Sequence, residues 1–282
     1  MNGILPQMTK LYEVTLGVWH RVTEAQIGLI AAGIGFFGFL AIFPALAAVI
    51  TIWGFAANPI VVQTQLELAQ NYLPHEAFDL LSGQVGRILA TNSRSLGITT
   101  LLSTLFALWS ARAGVSALIT GLNTIYRLPT RSGLRHVVRA FVLTLVLVGL
   151  VLAGMTLAVV VPVVLGFFKL GVAAEIALST ANFLVGMLFV MVSIALAYRL
   201  GPNRARDANR PPFFTLGLFL AIGLWVAVSR GLVFYLTNFA NYNQVYGSIG
   251  AVVALLMWFY LSAFAVLLGA AINAELEGRN GQ

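Results

Sequence analysis

Cysteine is absent from the 282 residues, which excludes disulfides, thiolate metal sites and cysteine nucleophiles. Charge is nearly as scarce. Only 9% of residues are charged, against roughly 25% in soluble domains, so a water-soluble enzyme is excluded on composition. Acids are the rarest charges: Glu13, Glu24, Glu67, Glu76, Asp79, Glu175, Asp207, Glu275 and Glu277 are all there are, and none lies inside an apolar run. Hydrolytic or nuclease chemistry needs clustered carboxylates, histidines or metal ligands. Only Glu76 and Asp79 beside His75 approach such a group, on an amphipathic stretch whose plainer reading is a solvated helix face. No glycine-rich phosphate loop precedes a lysine, so ATP-driven work has no support. No internal repeat supports an inverted-repeat transporter. Met1 to Ala25 does not read as a signal peptide, for want of a compact apolar core with a small-residue cleavage site. The expectation is no enzyme, no cofactor and no metal.

What is present is apolar. Hydrophobic residues make up 60% of the chain, and the mean hydropathy is +0.93. These values predict an all-α polytopic membrane protein, one membrane domain over residues 1–282. From Gly231 to Ala274 no residue is charged, far beyond the ~20 apolar residues that cross a bilayer. Within that stretch Gly247, Ala251, Ala254, Trp258, Ser262, Ala265, Gly269 and Asn273 recur every three or four positions, on one helix face. Val252, Leu255, Leu256, Phe259, Val266 and Leu267 stand opposite. Small faces let helix backbones approach in lipid, which makes Gly247 and Gly269 packing positions. The stripe serves either close packing alone or also the wall of a solute path.

The same reasoning predicts a bundle of six transmembrane helices, with spans at 28–55, 96–119, 140–166, 181–199, 213–236 and 247–272. An amphipathic interfacial helix is expected at 8–26, where Met8, Leu11, Tyr12, Thr15, Val18, Trp19 and Val22 lie near one face. Residues 56–95 form a second amphipathic segment, on the periplasmic side. In the first span, GIGFFGFLAIFP, Gly33, Gly35 and Gly38 thin the helix. Pro44 frees the carbonyl of Leu40 and kinks it, as a packing kink or as a hinge beside a cavity.

Two arginines fall within spans. Arg112 sits about 15 residues into the second, roughly 20 Å deep at ~1.5 Å per residue. Arg230 sits about 17 residues into the fifth, placed by the same rise. Arginine at depth costs at least ~2.5 kcal/mol, so it faces an anion, carbonyls or water, or snorkels to an interface. Together with Asn123, Tyr126, Tyr246 and Trp258 these arginines form the candidate substrate-binding set; interfacial tyrosines also serve as belt residues. Glu275, near the end of the sixth span, reads as an interfacial partner for Arg127 or Arg199. Eleven Lys and Arg fall in one set of connecting segments and three (Arg87, Arg94 and Lys169) in the other. That bias places both termini in the cytoplasm and accounts for the net charge of +7 without nucleic acid.

Three stretches, AAGIGFFGFLAIFPALAAVI, LWSARAGVSALITGLNTIYR and above all YGSIGAVVALLMWFYLSAFAVLLGAAINAELE, resemble the YihY/BrkB family, formerly labelled ribonuclease BN-like. The resemblance runs from about residue 10 to residue 277. Many members carry an acid directly after LGA, where this chain has Ala271. The resemblance implies a six-helix bacterial inner-membrane protein linked to envelope integrity, serum resistance and movement of lipids or small solutes. Residues and resemblance together lead to an expected translocation protein for an anionic or amphiphilic substrate, with membrane lipids as partners. The alternative is a structural or assembly factor of the envelope.

Overall fold

The computed structural model describes residues 4–56, 82–83, 93–129, 133–166, 172–204, 212–238 and 243–280. The described residues form seven helices and no strand: α1 (Ile4–Glu24), α2 (Ile27–Ala56), α3 (Ser93–Ile125), α4 (Leu134–Gly166), α5 (Val172–Leu200), α6 (Leu216–Asn238) and α7 (Asn243–Asn280). The protein is therefore an all-α polytopic membrane protein. Most of the expected periplasmic segment at 56–95, including His75, Glu76 and Asp79, lies outside the described residues, as do the side chains of Pro44 and Tyr246.

Among the described residues, four helices are long and apolar enough to cross a bilayer unaided: Leu101–Ile125, Ala177–Leu200, Leu216–Tyr235 and Val252–Arg279. Tyr12–Glu24 and Ile27–Ile42 meet the criterion only as a pair bent by 58°, and α4 contributes a shorter apolar stretch, Val137–Val151. Large apolar side chains such as Leu102, Leu105, Trp109, Leu184 and Phe234 are exposed along these helices. So much exposed apolar surface marks a partner medium, which for spans of this length is lipid.

Local chemistry sets the helix ends. The bend between α1 and α2 falls at Gln26, whose φ of 48° is left-handed and ends α1. α2 then runs on through Pro44 as one helix to Ala56. α3 closes in a Schellman arrangement: Leu128 N–H donates to Asn123 O at 2.8 Å and Arg127 N–H to Thr124 O at 3.1 Å. Arg127 takes the left-handed position, φ 52°, and Pro129 bars continuation. Thr215 caps α6, its hydroxyl accepting from Leu218 N–H at 3.2 Å.

The chain divides into two compact units, Met1–Ala31 with Val115–Trp225 and Ala263–Gln282, and Ala32–Gly114 with Val226–Ser262. In the first, Ile119, Ala140 and Leu143 form a buried cluster, and α4 meets α5 where Gly154 faces the Phe189 ring. In the second, Gly38 of α2 faces the Phe259 ring, which a Cβ would approach to 3.1 Å.

Four residues of the expected stripe on α7 lie in the interior and Trp258 and Ser262 are half-buried, while the burial of Gly247 and Ala251 lies outside the description. Ala254, Ala265, Gly269 and Asn273 are buried, while Val252 and Leu256 opposite are exposed. Leu267 departs from the pattern: it is fully buried, its side chain packed against Gly121 of α3, where a Cβ would meet it at 3.0 Å.

Candidate functional site

In the first unit, polar side chains gather around the C-terminal third of α7. Gly217 and Gly269 face each other so closely that a Cβ on Gly217 would meet Gly269 O and the Asn273 side chain. That approach brings Asn273 to the start of α6, where its Oδ1 accepts from Gly217 N–H at 2.9 Å. Asn273 Nδ2 donates to Thr215 Oγ1 at 2.9 Å. Backbone N–H groups at a helix start have no intrahelical acceptor, so an amide from α7 completes the cap. Tyr198 Oη donates to Val266 O at 2.6 Å and ties α5 to the same helix.

Two residues beyond Asn273 on α7, Glu275 is reached by Arg21 of α1, which donates from Nε to Glu275 Oε2 at 2.8 Å and from Nη1 to Ile125 O at 3.1 Å. Arg279 donates to Glu275 Oε1 at 3.0 Å and to Glu13 Oε2 at 3.1 Å. Gly17 leaves the space that the Glu275 carboxylate occupies. Glu275 therefore pairs with Arg21 and Arg279, which corrects the expected pairing with Arg127 or Arg199. Arg127 instead binds Glu24 at 2.7 Å, and Arg199 lies 4.1 Å over the Phe213 ring.

Asn123 and Tyr126, two of the expected binding residues, belong to this unit. Asn123 is buried and accepts from Asn203 N–H at 2.6 Å, so it organises the turn after α5. Arg139 holds the same turn through Leu200 O and Pro202 O. Tyr126 lies under Arg204, 4.6 Å from guanidinium carbon to ring centroid, and Arg204 binds Glu277 at 2.7 Å. Burial, seconded by the Glu277 charge, pushes the Tyr126 phenol above its ordinary value, so it stays protonated.

The second unit holds the other expected residues. Arg112 is half-buried on α3, and its Nε is buried without a hydrogen-bond partner among the described residues. The hydroxyls of Ser110 and Ser262 share that condition. Arg230 is exposed on α6. Trp258 donates from Nε1 to Ser229 Oγ at 3.1 Å and packs edge-on against Phe259, the ring that faces Gly38. Among the described residues, no group of three or more His, Asp or Glu side chains is placed to hold a metal ion.

A family model described as Virulence factor BrkB matches residues 18–282, nearly the whole chain. The chain belongs to the BrkB family. Among BrkB-like relatives, the ribonuclease-like protein YfkH of Bacillus subtilis is 28% identical over 261 residues, covering 88% of this chain and 90% of its own. A UPF0761 membrane protein of Aeromonas salmonicida is 26% identical over 270 residues, covering 92% of this chain and 87% of its own. A shorter match, 39% identical over 95 residues, covers 33% of this chain and 21% of a UPF0761 membrane protein of Xanthomonas campestris. No solved structure matches.

The residues that sequence reading missed are those that tie elements of the first unit of this BrkB-family chain together, most of them at α7. Arg21, Arg139, Arg204 and Thr215 looked like ordinary loop or surface residues. Their partners lie 254, 61, 73 and 58 positions away. Asn273, the last member of the small-residue stripe, was the one legible signal.

Proposed function

We propose that this BrkB-family chain is a bacterial inner-membrane translocation protein for an anionic or amphiphilic substrate, lipids included, with a part in envelope integrity. Arg112 is its anion site. The observation that carries this reading is the half-buried Arg112 guanidinium, within the span Leu101–Ile125, whose Nε–H has no partner among the described residues. Guanidinium stays protonated when buried, and its planar fork suits phosphate or carboxylate. Six spans with cytoplasmic termini set Arg112 toward the cytoplasmic half; reporter tags appearing in the periplasm would refute that orientation.

The acids support a non-enzymatic reading. Glu13, Glu24, Glu275 and Glu277 are each held by an arginine, so they act as counter-ions rather than as a catalytic set. RNA cleavage that tracks with the purified protein and vanishes in Glu76→Ala or Asp79→Ala would overturn this part.

In reconstituted vesicles Arg112→Ala should abolish most translocation of an anionic amphiphile and keep the fold. Arg112→Lys should be a partial loss, because ammonium keeps the charge without the fork. Wild-type rates in Arg112→Ala would end the proposal. A second reading, a structural or assembly factor, is favoured by the ion-paired helix ends around α7; it expects wild-type envelope function in Arg112→Ala.

A further inference from the structure

α1 divides its surface three ways. Gly17 and Arg21 face the C-terminal end of α7. Glu13, His20 and Glu24 form a second sector, and the two carboxylate side chains are 54% and 58% exposed. Tyr12, Leu16 and Trp19 form the third, with Tyr12 68% and Trp19 66% exposed. At about 100° per residue, the charged sector stands about a quarter turn from the apolar one, between it and the protein contact at Gly17 and Arg21. A groove of about 220 Å³ runs between the apolar side chains, lined by Tyr12, Thr15, Leu16 and Trp19.

Three sectors of different chemistry require three different surroundings. Protein occupies the first. The second holds exposed carboxylates, which hydrocarbon does not accept, so it faces water. That rules out immersion of α1 as half of a broken span. The third is an aromatic and aliphatic ridge on a chain whose bilayer surface starts only three residues beyond α1, with Leu29 of α2 71% exposed. Tyr and Trp carry an apolar body with a polar tip, the combination enriched at the boundary between headgroups and acyl chains.

We infer that Tyr12, Leu16 and Trp19 form a lipid-embedded ridge. α1 is a surface helix docked to α7 by the Arg21–Glu275 and Glu13–Arg279 pairs, its ridge sunk about 5–10 Å into the boundary and its Glu13–His20–Glu24 sector in water. The ion pairs orient the helix, and the bilayer interface fills the groove. This assignment does not depend on Arg112 or on translocation.

The cysteine-free chain permits a direct test. Leu16→Cys, Trp19→Cys and His20→Cys are each spin-labelled in the full-length protein, in vesicles of phosphatidylethanolamine and phosphatidylglycerol. Collisions with oxygen, which concentrates in lipid, are compared with those of a water-soluble nickel chelate. Oxygen should dominate at 16 and 19, and the chelate at 20. Dominance of the chelate at 16 and 19 would lift the helix off the membrane and overturn the inference. So would exclusion of both reagents there, which marks a protein partner such as a second copy. Oxygen dominance at all three positions would overturn it too, as immersion of the whole helix. The sites are exposed, so the substitutions leave the packing in place.

Discussion

Arg21 in the first unit and Arg112 in the second are both withdrawn from full exposure, yet their surroundings differ completely. Arg21 reaches a carboxylate and a main-chain carbonyl. Arg112 keeps a buried Nε with no partner among the described residues. The contrast extends to their neighbours. Arg204 Nε, Glu277 Oε1 and the Tyr126 hydroxyl in the first unit also lack hydrogen-bond partners among the described residues, but Arg204 and Glu277 are bound to each other through other atoms and the Tyr126 ring lies under the Arg204 guanidinium. The buried hydroxyls of Ser110 and Ser262 in the second unit have no hydrogen-bond partner among the described residues. Evolution of a bundle tolerates an unanswered polar group only where something else answers it, since each one left buried costs about 1–3 kcal/mol. Paired charges therefore mark where the helices are fastened, and the unanswered Arg112 Nε is what the proposed anion site rests on.

Crowding at the fastened end gives the largest expected effect. Gly217→Val sets a branched side chain against Gly269 O and the Asn273 amide. Overpacking costs about 1–3 kcal/mol where neighbours can yield; a backbone carbonyl yields less, so the variant should lose most of its monodisperse protein after detergent extraction. Wild-type yield and melting temperature would show that the α6–α7 crossing is not close. The next effect sets the two arginines side by side. Arg21→Ala strips Glu275 of one of its two cations and opens Ile125 O, a loss of about 1.5–3 kcal/mol by the usual worth of charged hydrogen bonds. Arg112→Ala removes a half-buried guanidinium whose Nε has no partner among the described residues and should melt at or above the wild-type temperature. Equal destabilisation by both would erase the contrast and with it the case for Arg112 as a receiving site.

Helix-scale features were legible because each rests on local pattern. Apolar runs located the helices, and the spacing of Ala254, Ala265, Gly269 and Asn273 found the buried face of α7. Arg21 was not legible. On an amphipathic helix a charge is assigned to water by default, and the acid that draws it inward lies 254 residues away. The same distance effect misassigned Glu275 to Arg127 and Arg199, both near in an outline of the topology but turned toward Glu24 and Phe213. α1 was read as a two-sided helix with Val18 and Trp19 on one face. It is three-sided, and only the docking of Gly17 and Arg21 separates inward Val18 from outward Trp19. Of the candidate binding residues, Asn123 and Tyr126 sit among the fastening groups of the first unit, whereas Arg112, Arg230 and Trp258 belong to the second.

The smallest effect comes from the exposed pair between Glu24 and Arg127. Their distance, 2.7 Å, is as short as any ion pair around α7, but the side chains are 58% and 64% exposed. Water and salt screen such a pair, and exposed ion pairs contribute little. The Arg127 hydrogen bond and charge hold the Glu24 carboxyl below its ordinary value. A carboxylate whose value is depressed on folding adds stability above its unfolded value of 4.5, and that addition fades as pH falls through the lower folded one. Glu24→Gln should therefore leave the melting temperature at pH 7 nearly unchanged and make the acid limb of unfolding only slightly shallower. The difference should vanish in high salt. A large loss at neutral pH would mean that proximity alone fastens helices here, whatever the exposure. Burial of the Arg21–Glu275 pair, with 15% and 13% of the side chains exposed, would then no longer explain why that end holds.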